Sequence, residues 1–340
     1  MSDENREIKA VIELPRDKWT EFVYNHPHGN IFQTPEMFEV YKNTKNYEPF
    51  FIAVENNEKE ILAILLTLIQ KEYSSFLGKF TSRSIIFGSP LLKKYDLEVL
   101  NLLLYEYNNL IRKKVIYSQF RNFWEQKWEK PIFEKYGFIY DQHLNIIIDL
   151  TVGKDKLWKN LSNSRQKGIR KAIKNNFDFE ISDSKDLISY FYKLLENTYM
   201  NAKLPYPKID FFYSLHKELT PDKLKFFTLS KDNEKLIILI ALIFKNRVYG
   251  FFMGTTRDNE HLKMRPVDLL FWEVLNWAYE SGFTKFDWLG AGRPDQEYGV
   301  RKFKLQYGGE VVEWGRYEKI HKPFMMNMGK TGLKIWQKFK

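Results

Sequence analysis

The stretch VDLLFWEVLNWAYESGFTKFDWLG, residues 267–290, joins an apolar pattern at helical spacing to a short run of strand type. The same order occurs earlier, in LEVLNLLLYEYNNLIRKKVIYSQF at residues 97–120. In both places three strand-like segments precede the helix, and a polar turn joins the first two. The recurrence predicts two similar α/β units in tandem.

The predicted strands follow the same order in the two halves. They cover 49–55, 61–70, 84–90, 115–120 and 143–150, and then 224–230, 236–245, 248–255, 283–290 and 309–317. Because a short turn joins the two longest strands of each half, those strands are expected to be antiparallel. We predict an α/β (α+β) fold with mixed, mainly antiparallel sheets.

The predicted boundary lies where TVGKDK, from Thr151, interrupts an apolar run. The expected organisation is a first domain at 1–152, a second at 153–320, and a C-terminal helix at 321–340 that packs back on the body.

Composition limits the classes of function. The chain has 340 residues, 44% of them hydrophobic, with no cysteine and a formal net charge of +10. These values indicate a globular protein with basic character, and they exclude disulfides and thiolate metal sites. The six histidines have no metal-ligand spacing, so we expect no metal and no bound cofactor. The polar N-terminus lacks a signal-peptide core, which favours a cytoplasmic location with at most peripheral contact at the inner face of the membrane.

A basic cluster occupies residues 154–174, with eight lysines and arginines against the single acid Asp155. Helical spacing places several of them on one side, and a polyanion would meet that side through its phosphates. A solvated helix face is the alternative. The candidate residues for contact with phosphates are Arg165, Lys167, Arg170, Lys171 and Lys174, and the residues expected to face the core are Leu157, Trp158, Leu161, Ile169 and Ile173.

A short helix is predicted near Asp295–Lys302, and the segment GVRKFKLQYGG, residues 299–309, then places Lys304 at the entry to the closing strand, within an aromatic, strand-like stretch. Strand alternation would send Phe303 and Leu305 to the core and Lys304 to the opposite side. An ordinary exposed strand lysine is the alternative.

Four segments together resemble the Fem family of aminoacyltransferases. They are GNIFQTPEMFEVYK (29–42), RQKGIRKAIKNNFDFEIS (165–182), GFTKFDWLGAG (282–292) and GVRKFKLQYGGEVVEW (299–314). The resemblance covers nearly the whole chain and implies two GNAT-like acyltransferase domains, aminoacyl-tRNA as donor, and a cell-wall or envelope precursor, such as a muropeptide or a lipid-linked precursor, as acceptor.

The resemblance also implies site residues. The five candidate phosphate contacts, Arg165, Lys167, Arg170, Lys171 and Lys174, would bind the tRNA. Lys304 would be catalytic, as an ammonium that stabilises the tetrahedral oxyanion, although binding of a donor phosphate or an acceptor carboxylate competes with that role. Phe303, Tyr249, Phe252, Asn43 and Tyr41 would contact the substrate.

At several positions this chain departs from the family. Tyr41 stands where the family has a lysine, Phe252 where it has a tyrosine, and an expected arginine after the long helix of the second half is absent. The acceptor is therefore expected to differ from the usual nucleotide-linked peptide. Asp287 is either a general base or a support for the following glycine turn.

GNAT acetyltransferases bind the CoA pyrophosphate on a glycine-rich turn before a helix. No glycine lies between Gly88 and Gly137 or between Gly254 and Gly282, so neither half is expected to bind CoA. The favoured function is aminoacyl transfer from tRNA to an envelope precursor. Two alternatives stay open: an acyltransferase of polysaccharide or lipid precursors with another donor, and a non-catalytic basic protein that binds RNA or a membrane surface.

Overall fold

The computed structural model describes residues 7–71, 82–201 and 205–327. The chain forms two compact units. The first combines the chain up to Gln142 with the chain from Trp314 onward, and the second is His143–Glu313.

The first unit is built on one mixed sheet in the order β1-β2-β3-β4-β6-β15-β7, with β5 paired to β3. Its strands are β1 Ile8–Val11, β2 Tyr47–Asn56, β3 Ile61–Gln70, β4 Arg83–Phe87, β5 Leu91–Leu92, β6 Tyr117–Arg121, β7 Ile139–Asp141 and β15 Arg316–Ile320. Its helices are α1 Arg16–Asn25, α2 Pro35–Lys42, α3 Leu97–Ile111 and α4 Lys130–Lys135, with a 3-10 turn at Ile31–Gln33.

The second unit has a sheet in the order β14-β8-β13-β12-β11-β10-β9. Its strands are β8 Leu144–Asp149, β9 Asp178–Ser182, β10 Leu224–Lys231, β11 Glu234–Phe244, β12 Arg247–Thr255, β13 Lys285–Asp287 and β14 Glu310–Glu313. Its helices are α5 Lys154–Asn160, α6 Asn163–Ile173, α7 Leu187–Asn201, α8 Ile209–Leu219, α9 Asn259–Lys263, α10 Pro266–Glu280 and α11 Gly299–Leu305.

Each unit repeats one arrangement, in which a helix connects the two parallel strands of its sheet. In the first unit α3 joins β4 to β6, and in the second α10 joins β12 to β13. The other strand pairs are antiparallel. The predicted class and the tandem repeat are confirmed.

Helix α3 begins where the Asp96 side chain accepts hydrogen bonds from two backbone amides of the first turn, because the first amides of a helix have no partner within it. Its apolar face is buried, and the Tyr107 hydroxyl hydrogen-bonds to Ser84 on β4 and Ser118 on β6. The helix is thereby tied to both parallel strands, which satisfies a polar group in the core.

The units divide at different points from those predicted at 152 and 320. Strand β8 belongs to the second sheet because it pairs with β13 and β14. The segment predicted as one strand at 309–317 is two strands, since Gly315 has φ +63° and a Cβ there would lie 2.2 Å from the Tyr140 ring. Strand β14 therefore stays in the second sheet, while β15 joins the first.

The expected C-terminal helix at 321–340 is described only in part. Residues 323–327 are helical, residues 321–322 are not, and residues 328–340 of that prediction lie outside the described residues. Within the described ranges, no helix is long and apolar enough to cross a membrane.

Glu129, just before α4, is buried, and its Oε2 has no hydrogen-bond partner among the described residues. Burial raises its pKa from 4.5 to about 8. Between those values the folded protein holds a proton that the unfolded chain has lost, so stability falls as pH rises from about 4.5 to 8. We expect Glu129→Gln to remove this fall and to stabilise the protein at pH 8 by about 2–3 kcal/mol.

Urea denaturation at pH 5, 6, 7 and 8 measures the effect. Glu134→Gln on the exposed face of α4 is the matched control and should change little at any pH. If the free energy of unfolding had the same pH dependence in the wild type and in Glu129→Gln, the expectation would be contradicted.

Candidate functional site

The segment around Lys304 is a helix, α11, and not the predicted strand, so that prediction is wrong. The helix ends before Gly308 and Gly309, whose φ values are +85° and +102°, and β14 begins directly after them. Such backbone angles suit glycine and end a helix. Phe303 still packs on the core as predicted, with its ring 5.8 Å from Phe271 and 5.2 Å from Tyr307.

Lys304 is half-buried and holds the turn that follows β13. Its Nζ donates to the backbone oxygens of Trp288 at 2.7 Å and Gly290 at 2.5 Å. Burial lowers the pKa of Lys304 to about 8, and the nearby Asp287 carboxylate acts in the opposite direction. An ammonium group has three N–H donors, so one donor remains beyond the two that the turn accepts.

Asp287 ends β13 and is completely buried. Its Oδ1 accepts hydrogen bonds from Asn145 Nδ2 and from the Leu289 amide, both at 2.9 Å, and its Oδ2 lies 3.3 Å from Arg247 Nη1. Burial raises the pKa of Asp287, while Arg247 and the two hydrogen bonds lower it. With both oxygens engaged, Asp287 supports the turn, and this geometry favours the structural interpretation over a general base.

Asn145 completes the turn, and the sequence analysis missed it. Its Oδ1 accepts from the Gly290 amide at 2.8 Å while its Nδ2 bonds Asp287. Leu289 and Gly290 both have positive φ, +54° and +95°, so the turn needs these side-chain bonds to stabilise its backbone. A polar residue inside the apolar strand HLNIIIDL was the available signal.

Strands β12 and β13 separate beside this turn. They pair only from Arg247 with Lys285 to Tyr249 with Asp287, after which β13 ends and β12 continues to Thr255. Opposite β11 the register of β12 shifts at Phe251, which is a β-bulge and bends the strand. The turn at 288–290, which Lys304 binds, therefore lies where the pairing of the two parallel strands ends.

The predicted substrate residues have different surroundings. Tyr249 is buried, which favours the packing alternative, whereas Phe252 is half-buried against Phe212 at 5.3 Å. Tyr41 is buried in α2 of the first unit, and Asn43 is exposed at the end of that helix. Of the predicted set, Phe303, Phe252 and Tyr249 share the second unit with Lys304.

The predicted tRNA-binding residues divide into two groups. Lys167, Arg170, Lys171 and Lys174 are exposed on or directly after α6, as expected for a phosphate-binding face. Arg165 is buried and pairs with Asp268 on α10, so it does not belong to that face. Ile173, expected in the core, is 55% exposed.

Among the described residues, no group of three His, Cys, Asp or Glu side chains could hold a metal ion.

Comparison with known proteins identifies the class. Residues 159–300 match the family model described as an acetyltransferase (GNAT) domain, so the second unit carries a GNAT-type acyltransferase domain. No curated protein sequence is significantly similar to the chain. This match covers residues 159–300, and the class is assigned to that part of the chain.

The fold of the whole chain matches that of FemX. The two share a TM-score of 0.72 and 14% identity over 94% of this chain and 99% of that one. A tandem GNAT protein from the clavulanic acid biosynthesis pathway has a TM-score of 0.60 and 8% identity, over 93% and 99% of the two chains. The resemblance to the Fem family is confirmed for the fold, including its two GNAT-like domains.

A third solved structure is the C-terminal domain of a candidate lysylphosphatidylglycerol synthetase from Agrobacterium fabrum. It has a TM-score of 0.57 and 13% identity, over 90% of this chain and 91% of that one.

Proposed function

We propose that the protein transfers an aminoacyl group from aminoacyl-tRNA to an amine of a cell-envelope precursor. The observation that carries this proposal is the Lys304 ammonium, which the turn holds by two carbonyl oxygens and which retains a third donor. The fold shared with FemX supports a reaction of this kind. Such a reaction would take place in the cytoplasm, with the acceptor presented there or at the inner face of the membrane.

The chemistry is aminolysis of an ester. The acceptor amine attacks the ester carbonyl, a C–N bond forms, and the carbonyl oxygen becomes an oxyanion. The carbonyl then re-forms as the C–O bond to the tRNA ribose breaks, and the leaving ribose oxygen takes the proton that the amine loses and becomes a hydroxyl. The third N–H donor of Lys304 would stabilise the oxyanion, a charge that exists only during the reaction.

The start of α10 supports a donor other than CoA. The N-terminus of a helix attracts anions, and CoA enzymes use it for the pyrophosphate. Here Asp268 occupies the first turn, and its carboxylate accepts a hydrogen bond from Arg265 Nε at 2.7 Å and pairs with Arg165. The start of this helix therefore carries an ion cluster of the chain itself, in which two arginines pair with one carboxylate.

An assay of transfer tests the proposal. Purified protein would be incubated with a mixed pool of radiolabelled aminoacyl-tRNAs and purified envelope precursors, and amide-linked label would be counted. In parallel, calorimetry would measure acetyl-CoA binding, and we expect no saturable binding. Absence of transfer from every charged tRNA, together with micromolar CoA binding, would contradict the proposal.

The exposed residues of α6 give a second test. Reversing Lys167, Arg170 and Lys174 to Glu should weaken tRNA binding and reduce the slope of log affinity against log salt by about 2–3, because each residue neutralises one phosphate. The melting temperature should change little since all three are exposed. Filter binding between 50 and 200 mM salt measures the slope.

The control reverses three exposed lysines elsewhere, Lys127, Lys130 and Lys217, which gives the same change in net charge. Equal weakening by both triple variants would mean that overall charge, and not α6, attracts the tRNA.

An acyltransferase of lipid or polysaccharide precursors is the second candidate. The observation that favours a lipid acceptor is the fold shared with the candidate lysylphosphatidylglycerol synthetase. The transfer assay separates the acceptors when peptide, glycan and phospholipid fractions are supplied separately.

A further inference from the structure

Arg165 lies at the centre of a buried polar cluster in the second unit. Its Nη1 donates to Asp268 Oδ1, and the Tyr307 hydroxyl donates to the same oxygen at 3.2 Å. The other oxygen of Asp268 accepts from Arg265 Nε. The cluster therefore links α6, the start of α10 and Tyr307, two residues after the end of α11.

The guanidinium of Arg165 also lies against two aromatic rings. Its central carbon is 4.5 Å from the centroid of the Phe303 ring and 5.1 Å from that of Tyr307. A guanidinium at these distances is attracted by the face of the ring, and the attraction grows when water is excluded. Phe303 directly precedes Lys304, so the contact is with the neighbour of the lysine that binds the turn.

Gly168 allows the close approach of the helices. A Cβ at this position would lie 1.9 Å from Asp268 Oδ2, a distance that no side chain can occupy. Because α6 presents glycine there, the Asp268 carboxylate reaches Arg165 on the preceding turn of α6.

From these contacts we infer that Arg165 is a positioning residue, which holds α11 so that the Lys304 ammonium meets the Trp288 and Gly290 carbonyls. The inference rests on the proposed function for what Lys304 does chemically. It gives Arg165 a different role from the exposed residues of α6, because its charge is neutralised by Asp268 within the protein.

Arginine suits this role better than lysine. The planar guanidinium can donate to a carboxylate and pack against aromatic rings at the same time, whereas an ammonium is a compact charge on a flexible stem. Arg165→Lys should therefore restore only part of the function lost in Arg165→Met. Asp268 keeps Arg265 and Tyr307 as partners in both variants, so the remaining carboxylate is not left unpaired.

A double-mutant cycle tests the inference. In the wild-type background Arg165→Met should lower the transfer rate about 10–100-fold with the KM for aminoacyl-tRNA unchanged, since a small displacement of a catalytic group has effects of this size. In the Lys304→Met background the same substitution should lower the rate less than about 2-fold. If Arg165 acts through Lys304, the effects of the two substitutions are not additive. Lys217→Met, at an exposed lysine of α8 outside the proposed tRNA-binding face, is the control for kcat.

An equal loss in both backgrounds would overturn the inference, and so would a raised KM with an unchanged kcat, which would make Arg165 a phosphate contact. Hydrogen exchange provides a readout that needs no activity. Amides from Phe303 to Tyr307 should exchange faster in Arg165→Met and Arg165→Lys than in wild type, while those of β11 stay protected. Unchanged exchange in α11 would overturn the inference, whereas lack of transfer by the wild type would count against the proposed function alone.

Discussion

Lys304→Met is expected to lower the rate of aminoacyl transfer by roughly 10²–10³-fold, with little change in acceptor affinity. Methionine has a similar length and keeps the apolar packing of the stem, but it has no N–H donor and no charge. The oxyanion would lose its partner at the moment when charge develops, and the Trp288 and Gly290 carbonyls would lose a donor. Single-turnover kinetics with preformed aminoacyl-tRNA measures the chemical step.

Lys302→Met on the same helix is the matched control, because Lys302 is exposed and pairs only with Glu297 at 2.8 Å among the described residues. We expect it to leave the rate close to that of wild type. A normal rate in a folded Lys304→Met protein would return Lys304 to an ordinary structural lysine.

The pH dependence of the transfer rate shows whether the charged or the neutral form of Lys304 is needed. Burial lowers the pKa of Lys304 to about 8, so the ammonium is present below pH 8 and is lost above it. If the charged form stabilises the oxyanion, the wild-type rate should fall as pH rises past about 8, and the fall should be absent in Lys304→Met. A rise through pH 8 in the wild type that is absent in Lys304→Met would mean that the neutral amine of Lys304 acts as a base, because deprotonation of the acceptor amine affects both proteins alike.

Asp287→Ala is expected to destabilise the second unit by about 3–5 kcal/mol. The substitution leaves Arg247 without its carboxylate and removes the acceptor of the Leu289 amide and the Asn145 side chain. An unpaired charge and buried donors without acceptors are among the largest single costs in a folded protein. Denaturant unfolding followed by tryptophan fluorescence would measure the loss.

The control is Asp295→Ala in the following loop, where the carboxylate is exposed and lies 3.4 Å from Arg293 Nε. Its effect should stay within about 0.5 kcal/mol. Asp287→Asn separates the two interpretations of Asp287, since the amide fills the same space without a charge. Near-normal stability together with a rate loss above about 10³-fold would identify Asp287 as a general base and reject the supporting role.

The fold was predictable from the sequence because its signals are local. Apolar residues at helical spacing over 97–111 and 267–280 correspond to α3 and α10, and the apolar runs at 61–69 and 236–244 lie in β3 and β11. A strand of about ten residues that is buried on both faces has few alternative positions in a sheet once a turn joins it to another strand. The order of these elements, repeated once, was sufficient to predict two similar units.

The exposed part of the basic cluster was also predictable from the sequence. Its residues lie on the surface as their spacing indicated: Lys167, Arg170, Lys171 and Lys174. The burial of Arg165 was not predictable, because it lies within the same basic cluster and its partner Asp268 lies 103 positions away. A charge run has no local signal that separates an exposed arginine from one neutralised across the core.

The sequence by itself determined the class of fold, the tandem repeat and the lysine at the centre of the candidate site. Only the tertiary structure decided that Lys304 lies on a helix and binds the turn after β13, and that residues 309–317 divide between two sheets. The physical reason is the same in both cases. Short segments such as 299–305 and 310–320 have weak intrinsic preferences, so distant contacts select their conformation: the Trp288 and Gly290 carbonyls for Lys304, and the Tyr140 ring against Gly315.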